Sequence, residues 1–420
     1  MAVMPGYKQT AVGVIPQDWA TVRLPDVVWF QEGPGVRNYQ FTSAGVKLFN
    51  GTNIDNGRIF LDKTSRYISE REAYGGYSHF LADAGDIVIA CSGITVSRFD
   101  EKVSVLCSEH LPLCMNTSTM RFKVASPRIH KDYFRHFLRS QIFKDQISGT
   151  ATGSAQLNFG PEHVSAAVIP LPGESEQEAI AEALSDADTL IESLEQLLAK
   201  KLQLKQGAMQ DLLRPTPADD VRPLGHVSSL KGRIGWQGLK QSEFTTDDQQ
   251  PFLITGMNFK DGAIRWSEVY HISEARYEMA PDIQLRPHDV LMTKDGTIGK
   301  VLYIDAIPFP GKASLNSHLL LFRPVGSSYI PKYLYYQLGS RRFKEFVELS
   351  KSGTTFFGLS QAAVASYSVL LPPLAEQARI AAVLSDMDNV IAACEAELAK
   401  ASRIKQGMMQ ELLTGRIRLV

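Results

Sequence analysis

The sequence predicts an α+β protein built as a tandem repeat, in which two α+β globular regions alternate with two long helices. Three observations predict this class: a repeat with a period of 200 residues, a seven-residue apolar pattern in the most similar part of each copy, and short β-like runs elsewhere. Strand-like and helix-like segments do not alternate regularly outside the long helices, so a parallel α/β sheet is not expected.

The strongest part of the repeat aligns residues 171–213 with residues 371–413 without a gap, and 22 of 43 positions are identical. Upstream of this segment the similarity is weaker, and its offset drifts between 200 and 205 as loop insertions would cause. A repeat of this kind determines the architecture, because each copy is expected to adopt the same fold. Globular regions that diverged while the helical segments stayed alike indicate one shared mechanical task and two different recognition tasks.

Each copy of the shared segment is predicted to form one long helix, because its apolar residues recur in steps of four and three. About 40 residues at a rise of about 1.5 Å each would form a rod about 60 Å long. Two rods with matching apolar seams most simply pair with each other. The seam leaves parallel and antiparallel pairing open, and two independent amphipathic helices are the alternative. The predicted seam consists of Ile180, Leu184, Ile191, Leu198, Ile380, Leu384, Ile391 and Leu398.

The charge of the chain is unevenly divided, although its net value is only −1. Residues 174–213 carry a net charge of −6 and residues 374–413 a net charge of −2, which leaves +7 for the remainder. An acidic rod is expected to face protein or solvent rather than DNA. Mildly basic globular regions fit contact with phosphates.

Two strand-like segments in the globular regions each run directly into a polar loop that contains glycine. Residues 87–90 precede CSGIT, and residues 290–292 precede TKDGTIGK. The second loop is not a phosphate-binding P-loop, since its glycines are too close together and Val301 stands where Ser or Thr would bind magnesium. A strand-end loop of this composition suits contact with a DNA backbone or base edge, and an ordinary solvated turn is the alternative. Downstream, Lys131–Lys144 and Pro331–Glu348 are each predicted as one amphipathic helix.

Signals for catalysis, metal binding and export are not found in the sequence. It contains no HExxH, GxSxG, Walker, adenosylmethionine-binding or amino-methylation motif. The nine histidines are scattered and the four cysteines form no CxxC pair, so we expect reduced thiols and no metal site. There is no run of about 18 apolar residues and no apolar region typical of a signal peptide. These observations together predict a cytoplasmic protein.

The shared segments resemble the conserved regions of the specificity (S) subunit of Type I restriction-modification systems. The resemblance rests on a proline-bearing entry, a Glu-Gln pair, a long helix and a Lys-Gly-Met-Leu-type end, here LPPLAEQARIAAVLSDMD and KQGMMQELLTGRIRLV. The first copy departs from the pattern at Gly173, where the family often has a second proline. The opening IPQDWATVRLPDVV and the stretches KDGTIGK, SGTTFFGLS and SGTATGSAQLNF also resemble family segments.

This resemblance implies two target recognition domains, each reading one half of a split DNA site, and an antiparallel coiled coil that spaces them. It implies no active site and no cofactor in this chain. Methyltransferase (M) subunits would dock beside it, carry S-adenosylmethionine and methylate adenine, and a restriction (R) motor-nuclease subunit can join. Removing one heptad, about 10 Å of helix, would then move one reader by about three base pairs. The implied division is residues 1–170 and 215–370 for recognition, and 171–214 and 371–420 for the helical spacers.

The strand-end loops supply the candidate DNA-binding residues, since Arg, Lys, Ser and Thr can reach phosphates or base edges. A merely solubilising role for these residues is the alternative. For the whole chain, the alternatives are a non-DNA protein-interaction scaffold, which the near-neutral charge favours, and an enzyme with an unrecognised site. The candidates are Ser92, Thr95 and Arg98 in the first domain, and Lys294, Thr297 and Lys300 in the second.

Overall fold

The computed structural model divides the chain into two compact units, which we call unit 1 and unit 2. Unit 1 contains residues 1–195 and 396–420, and unit 2 contains residues 196–395. Each unit therefore holds one globular region and a segment of both long helices, so the units do not coincide with the four predicted domains, whose boundaries stay a prediction. The residues that the structure describes are 5–148, 156–217, 219–233, 238–260, 262–350 and 358–419.

Unit 1 is built on a four-stranded antiparallel sheet with the strand order 103–105, 87–90, 119–124, 28–32. Beside it, strand 46–49 pairs in parallel with strand 113–115 and antiparallel with strand 67–68. The helices of this unit are Glu70–Tyr74, Lys131–Leu138, Gln141–Ser148, Pro161–Ala166 and the adjoining parts of Glu174–Leu212 and Leu374–Leu412. The strands are Tyr7–Thr10, Gly13–Pro16, Ala20–Arg23, Val28–Glu32, Val46–Phe49, Ile54–Asp55, Arg58–Ile59, Tyr67–Ile68, Ile87–Ala90, Ile94–Thr95, Val103–Val105, Leu113–Met115, Thr119–Val124, Gln156–Leu157 and Val168–Leu171.

Unit 2 repeats this topology. Its four-stranded antiparallel sheet has the order 228–231, 319–324, 290–293, 301–303, and strand 252–254 again has one parallel and one antiparallel neighbour. The α+β class and the tandem repeat are therefore confirmed. The helices of this unit are Leu224–Val227, Glu274–Glu278, Pro331–Gly339, Arg341–Ser350, Gln361–Ala365 and the remaining parts of the two long helices. The strands are Asp220–Pro223, Ser228–Lys231, Phe252–Ile254, Phe259–Lys260, Ala263–Ile264, Tyr270–His271, Val290–Thr293, Val301–Tyr303, Ala313–Leu315, Leu319–Pro324 and Ser368–Leu371.

The two predicted amphipathic helices at 131–144 and 331–348 are each broken into two, which corrects the sequence prediction. The first breaks between Leu138 and Gln141, and the second between Gly339 and Arg341. The cause in unit 1 is Ser140, whose hydroxyl donates to the Phe137 carbonyl and accepts the Phe143 N–H. A serine bonded in this way ends one helix and caps the next. Ser340 makes the same two contacts in unit 2.

The long-helix segments run antiparallel inside each unit. In unit 1, Ile180 and Leu184 near the start of the first helix share the core with Leu412 and Leu413 at the end of the second. In unit 2 the roles are exchanged, since Ile380 and Leu384 pack with Leu213. The antiparallel pairing implied by the family resemblance is thus observed.

Burial along the predicted seam is strongest where a helix meets the globular region. Of the predicted seam residues, Ile180, Leu184, Ile380, Leu384 and Ile391 are at most 7% exposed. The other three, Ile191, Leu198 and Leu398, are half-buried. Because Ile180 and Leu184 belong to the same hydrophobic core as Trp19 and Phe137, the helix is an integral part of the core of unit 1.

Candidate nucleic-acid interface

The loop that follows strand 87–90 in unit 1 holds two of the predicted DNA-binding residues. Ser92 donates its hydroxyl hydrogen to Asn158 Oδ1 at 2.8 Å, and the Gly93 N–H donates to the same oxygen at 2.8 Å. Thr95 lies in a short strand paired with Gln156 and is exposed. Asn158 therefore orders the loop, and both Ser92 and Thr95 are exposed.

Arg98, the third candidate of unit 1, takes part in a charged cluster centred on Asp55, which sequence reasoning missed. Arg98 Nη2 lies 2.6 Å from Asp55 Oδ1, and its Nε donates to Glu101 at 2.6 Å. Lys63 Nζ is 2.7 Å from Asp55 Oδ2, and Lys102 Nζ is 3.3 Å from Oδ1. The hydrogen bond from Lys63 lowers the pKa of Asp55 to about 2, against the opposing effect of burial. One ionised carboxylate thus organises three cations.

Comparison of the two copies of the repeat could have identified Asp55 from the sequence. The turn GTNIDNG, residues 51–57, resembles GMNFKDG, residues 256–262, and both form a strand hairpin of the same register. Asp55 in the first copy is matched by Lys260 in the second. The sign of the charge is therefore reversed at this position of an otherwise shared turn.

The loop of unit 2 that carries the other three candidates is closed by Thr293. The Thr293 hydroxyl donates to the Thr297 carbonyl at 2.5 Å and accepts the Lys300 N–H at 3.0 Å. Gly296 and Gly299 have φ values of +71° and +81°, a region in which side chains other than glycine are strained. This tight turn leaves Thr297 and Lys300 exposed and Lys294 half-buried. The DNA contacts of all six candidates remain predictions.

Two further stretches that resemble recognition-domain segments, residues 148–159 and 352–360, lie partly outside the described residues. What is described of them contacts the candidate loops. Leu359 donates its N–H to the Lys294 carbonyl at 2.9 Å, and Gly358 bridges Asp295. In each unit, therefore, the later segment supports the strand-end loop.

A buried glutamine at the start of each long helix holds the globular region against the helix, and sequence reasoning did not assign it this role. Gln177, 2% exposed, accepts the His130 N–H at 2.8 Å and donates to the carbonyls of Arg128 and Pro172 at 3.0 Å. Gln377, 1% exposed, accepts the Ile330 N–H and donates to the Pro372 carbonyl, both at 2.9 Å. The structure therefore explains why both copies of the repeat have a glutamine in the Glu-Gln pair.

Reciprocal ion pairs connect the helix segments within each unit. Lys405 contacts Asp188 in unit 1, and Lys205 contacts Asp388 in unit 2. Burial acts to raise the pKa of Asp188, but Arg139 and Lys405 outweigh it and the pKa is lowered. Both pairs come from the same two positions of the repeat, so they fix one register of the antiparallel helices in both units.

A buried histidine, His136, lies beside the ion pair of Asp188 and Lys405, and we expect it to make the stability of unit 1 depend on pH. Burial, with the neighbouring charge of Arg135, lowers the pKa of His136 to about 2. An unfolded histidine has a pKa of about 6.5, so below that pH unfolding takes up a proton and the free energy of unfolding falls by up to about 1.4 kcal/mol per pH unit. At the matching position unit 2 has Tyr336, whose hydroxyl donates to Asp388 at 2.7 Å. We expect His136→Tyr to flatten the pH dependence of the urea midpoint between pH 5 and 6.5.

The control for this substitution is the exposed His226, changed to tyrosine in the same way. It adds the same side chain without altering a buried site, so its pH profile should match that of the unchanged protein. A His136→Tyr profile as steep as that of the unchanged protein would contradict a neutral buried His136.

Within the described ranges, no group of three or more His, Cys, Asp or Glu side chains could hold a metal ion. Over the same residues, no helix combines the length and the hydropathy required to span a bilayer.

Comparison with known proteins identifies relatives for nearly the whole chain. The sequence model of the family described as "Type I restriction modification DNA specificity domain" matches residues 16–203 and 239–402. The Type I restriction enzyme MjaVIII specificity subunit of Methanocaldococcus jannaschii is 31% identical over 186 residues, a stretch that is 44% of this chain and 43% of that relative. The Type I restriction enzyme StySPI specificity subunit of Salmonella potsdam is 22% identical over 445 residues, covering 96% of this chain and 90% of the relative.

A solved structure shares the fold. The crystal structure of a Type-I restriction-modification system S subunit from M. genitalium superimposes with a TM-score of 0.58 over 98% of each chain, at 16% sequence identity. The repeated α+β units and long helices described above are therefore an architecture that already exists among solved proteins.

Proposed function

Because the chain belongs to the Type I restriction modification DNA specificity family, we propose that unit 1 and unit 2 each read one half of a divided duplex-DNA site. Members of this family are the non-catalytic DNA-recognition subunits of Type I restriction-modification systems, and this chain is one of them. The proposal also includes assembly with methyltransferase (M) subunits, which would hold the S-adenosylmethionine, and with a restriction (R) motor-nuclease subunit.

One observation carries the two-part reading: the units share a backbone scaffold but differ in residue type at matching positions of the sequence. The hairpins at 54–59 and 259–264 have the same register, yet Asp55 is matched by Lys260. Sequence is read by the donors and acceptors of side chains at groove edges. A common scaffold with different side chains therefore favours two different half-sites rather than one duplicated half-site.

The long helices carry exposed apolar side chains that are suited to binding the proposed protein partners. Unit 2 keeps Leu197 and Leu204, seven residues apart, 43% and 56% exposed, and Val383 and Val390, also seven apart, 37% and 48% exposed. These side chains form an apolar stripe on each helix segment in addition to the buried seam. Residues seven apart lie on one helix face, so each stripe is suited to packing against a further helix.

The proposal is tested by mapping methylated adenines after co-expression of this chain with a candidate methyltransferase (M) subunit from the same genome. The expected result is one motif made of two short defined elements separated by a gap of unspecified sequence. A control culture expressing the methyltransferase alone should lack this motif. A continuous motif would contradict the two-part reading, and the absence of any motif would favour a protein-interaction scaffold that does not bind DNA.

A further inference from the structure

Unit 1 carries a partly exposed surface in which cations lie against aromatic rings. Lys47 Nζ lies 4.7 Å from the ring centre of Tyr67, Lys63 Nζ lies 4.6 Å from that of Phe60, and the Arg66 guanidinium carbon lies 5.1 Å from that of Phe41. We call this the cation–aromatic surface and define it as Phe41, Lys47, Phe60, Lys63, Arg66 and Tyr67.

This surface is continuous with the Asp55 cluster. Lys63 belongs to both the surface and the cluster, because it forms an ion pair with Asp55. Lys47 Nζ donates at 2.8 Å to the carbonyl of Thr64, the residue that follows Lys63. Together the two groups contain five cations, Lys47, Lys63, Arg66, Arg98 and Lys102. Three of them, Lys63, Arg98 and Lys102, are already paired with Asp55.

Arg66 differs from the other cations of this face. Lys63, Arg98 and Lys102 each pair with Asp55. Over the part of the chain that the structure describes, the Arg66 side chain makes no hydrogen bond or ion pair, and its guanidinium group lies over the ring of Phe41. An arginine stacked on an aromatic ring keeps its N–H donors directed outward in a fixed fork, the arrangement that binds a phosphate bidentately.

Unit 2 has the same backbone at this place but not the same charge. The bridge between Thr42 and Tyr67 in unit 1 is matched by the bridge between Thr245 and His271 in unit 2. This correspondence places Tyr270 at the position of Arg66, and its ring lies 5.6 Å from that of Phe244. An aromatic residue therefore supports a cation in unit 1 and a neutral ring in unit 2.

We infer that the cation–aromatic surface is the face of unit 1 that contacts the DNA backbone, with Arg66 binding a phosphate. This inference rests on the proposed function and adds the residue that would position unit 1 on the duplex. Phosphate contacts fix the register of a protein on DNA without specifying sequence. Arg66 therefore contributes affinity and salt dependence, while the strand-end loop residues such as Thr95 remain the candidates for base readout.

The test uses the complete complex of this chain with its methyltransferase subunit and fluorescently labelled duplexes with and without the mapped motif. Binding is measured by anisotropy between 50 and 300 mM salt. Arg66→Ala is expected to weaken binding about 5- to 20-fold on both duplexes and to reduce the slope of log K against log salt by about one. Arg66→Lys should retain the slope while losing part of the affinity, because it keeps the charge without the fork. The methylated motif should not change.

Two matched variants control for charge and position. Arg128 is an exposed arginine of unit 1 outside this surface, and Arg128→Ala should leave the salt slope unchanged. Tyr270→Ala tests the matching position of unit 2 and should also leave the slope unchanged, since no cation is lost. Far-UV circular dichroism of each complex establishes that folding is intact.

The outcomes separate the inference from the function on which it rests. If the unchanged complex binds the motif duplex but Arg66→Ala alters neither affinity nor slope, the inference is wrong and the proposed function stands. If Arg66→Ala weakens only the motif duplex, Arg66 reads bases and the phosphate assignment is wrong. If the unchanged complex shows no preference for the motif duplex, both the proposed function and the inference are overturned.

Discussion

Replacing Asp289 with alanine is expected to lower the free energy of unfolding of unit 2 by about 3–5 kcal/mol, because it leaves an arginine without its buried carboxylate. Asp289 is 3% exposed, and its two oxygens accept from Arg323 Nε and Nη2, each at 2.7 Å. The same carboxylate accepts the Arg286 N–H at 2.7 Å, and Arg323 donates onward to the Gln284 carbonyl at 2.6 Å. A bidentate pair of this kind, once broken, leaves both a charge and a backbone donor unsatisfied.

The effect should appear next to the candidate site, since strand 290–293 begins after Asp289 and leads into the loop that carries Lys294, Thr297 and Lys300. Hydrogen exchange with mass spectrometry on the full-length chain resolves it, because peptides of unit 2 report separately from those of unit 1. Asp289→Ala should accelerate exchange in strand 290–293 and leave the strands of unit 1 unchanged.

Two control variants identify the cause of that loss. Asp220 pairs with Arg222 on the surface of the same unit, with side chains 51% and 58% exposed, and Asp220→Ala should cost less than about 1 kcal/mol. The double variant Asp289→Leu with Arg323→Met removes both charges and should recover much of the stability. Equal losses in Asp289→Ala and Asp220→Ala would contradict the cost assigned to a buried arginine left without its carboxylate.

The repeat and the long helices could be predicted because both produce patterns that are visible in the sequence alone. A period of 200 residues survives comparison of the chain with itself, and the four–three spacing of residues such as Ile180 and Leu184 determines which helix face is buried. Antiparallel pairing could not be derived from this spacing, because one apolar stripe serves either direction. Its direction depends on contacts such as that between Lys405 and Asp188, which join residues far apart in the chain.

The candidate site was predictable only in part, for a related reason. Strand-end loops were found because a buried apolar run followed by Gly and polar residues is a local signal. Asp55 was missed because its role depends on cations from three other segments, Lys63, Arg98 and Lys102. Arg98 was predicted as a candidate DNA-binding residue, and this role stays a prediction; its ion pairs with Asp55 and Glu101 could not be predicted from the sequence. The charge distribution on the surface depends on which segments the fold brings together, and the spacing of residues along the sequence does not determine this.

Gln177 provides a second large effect, and one that connects the stability of unit 1 to recognition. Gln177→Leu keeps the size of the side chain but leaves the His130 N–H and the carbonyls of Arg128 and Pro172 without their partner. An unsatisfied buried polar group costs about 1–3 kcal/mol, so we expect a total loss of about 3–5 kcal/mol from unit 1. Gln410→Leu, at an exposed glutamine in the helix segment of the same unit, should cost less than about 0.5 kcal/mol.

The functional consequence should be confined to one half of the DNA site, because Gln177 anchors only the globular region of unit 1 to its helix, and Gln377 performs this role in unit 2. In the assembled complex, Gln177→Leu should relax the sequence preference of one element of the methylated motif and leave the other intact. Gln377→Leu should relax the opposite element. Relaxation of both elements by either variant would mean that the two units do not read DNA separately, since an anchor internal to one unit would then control both. Unchanged motifs, together with accelerated hydrogen exchange in residues 125–138, would mean that the anchor stabilises unit 1 without positioning its reading surface.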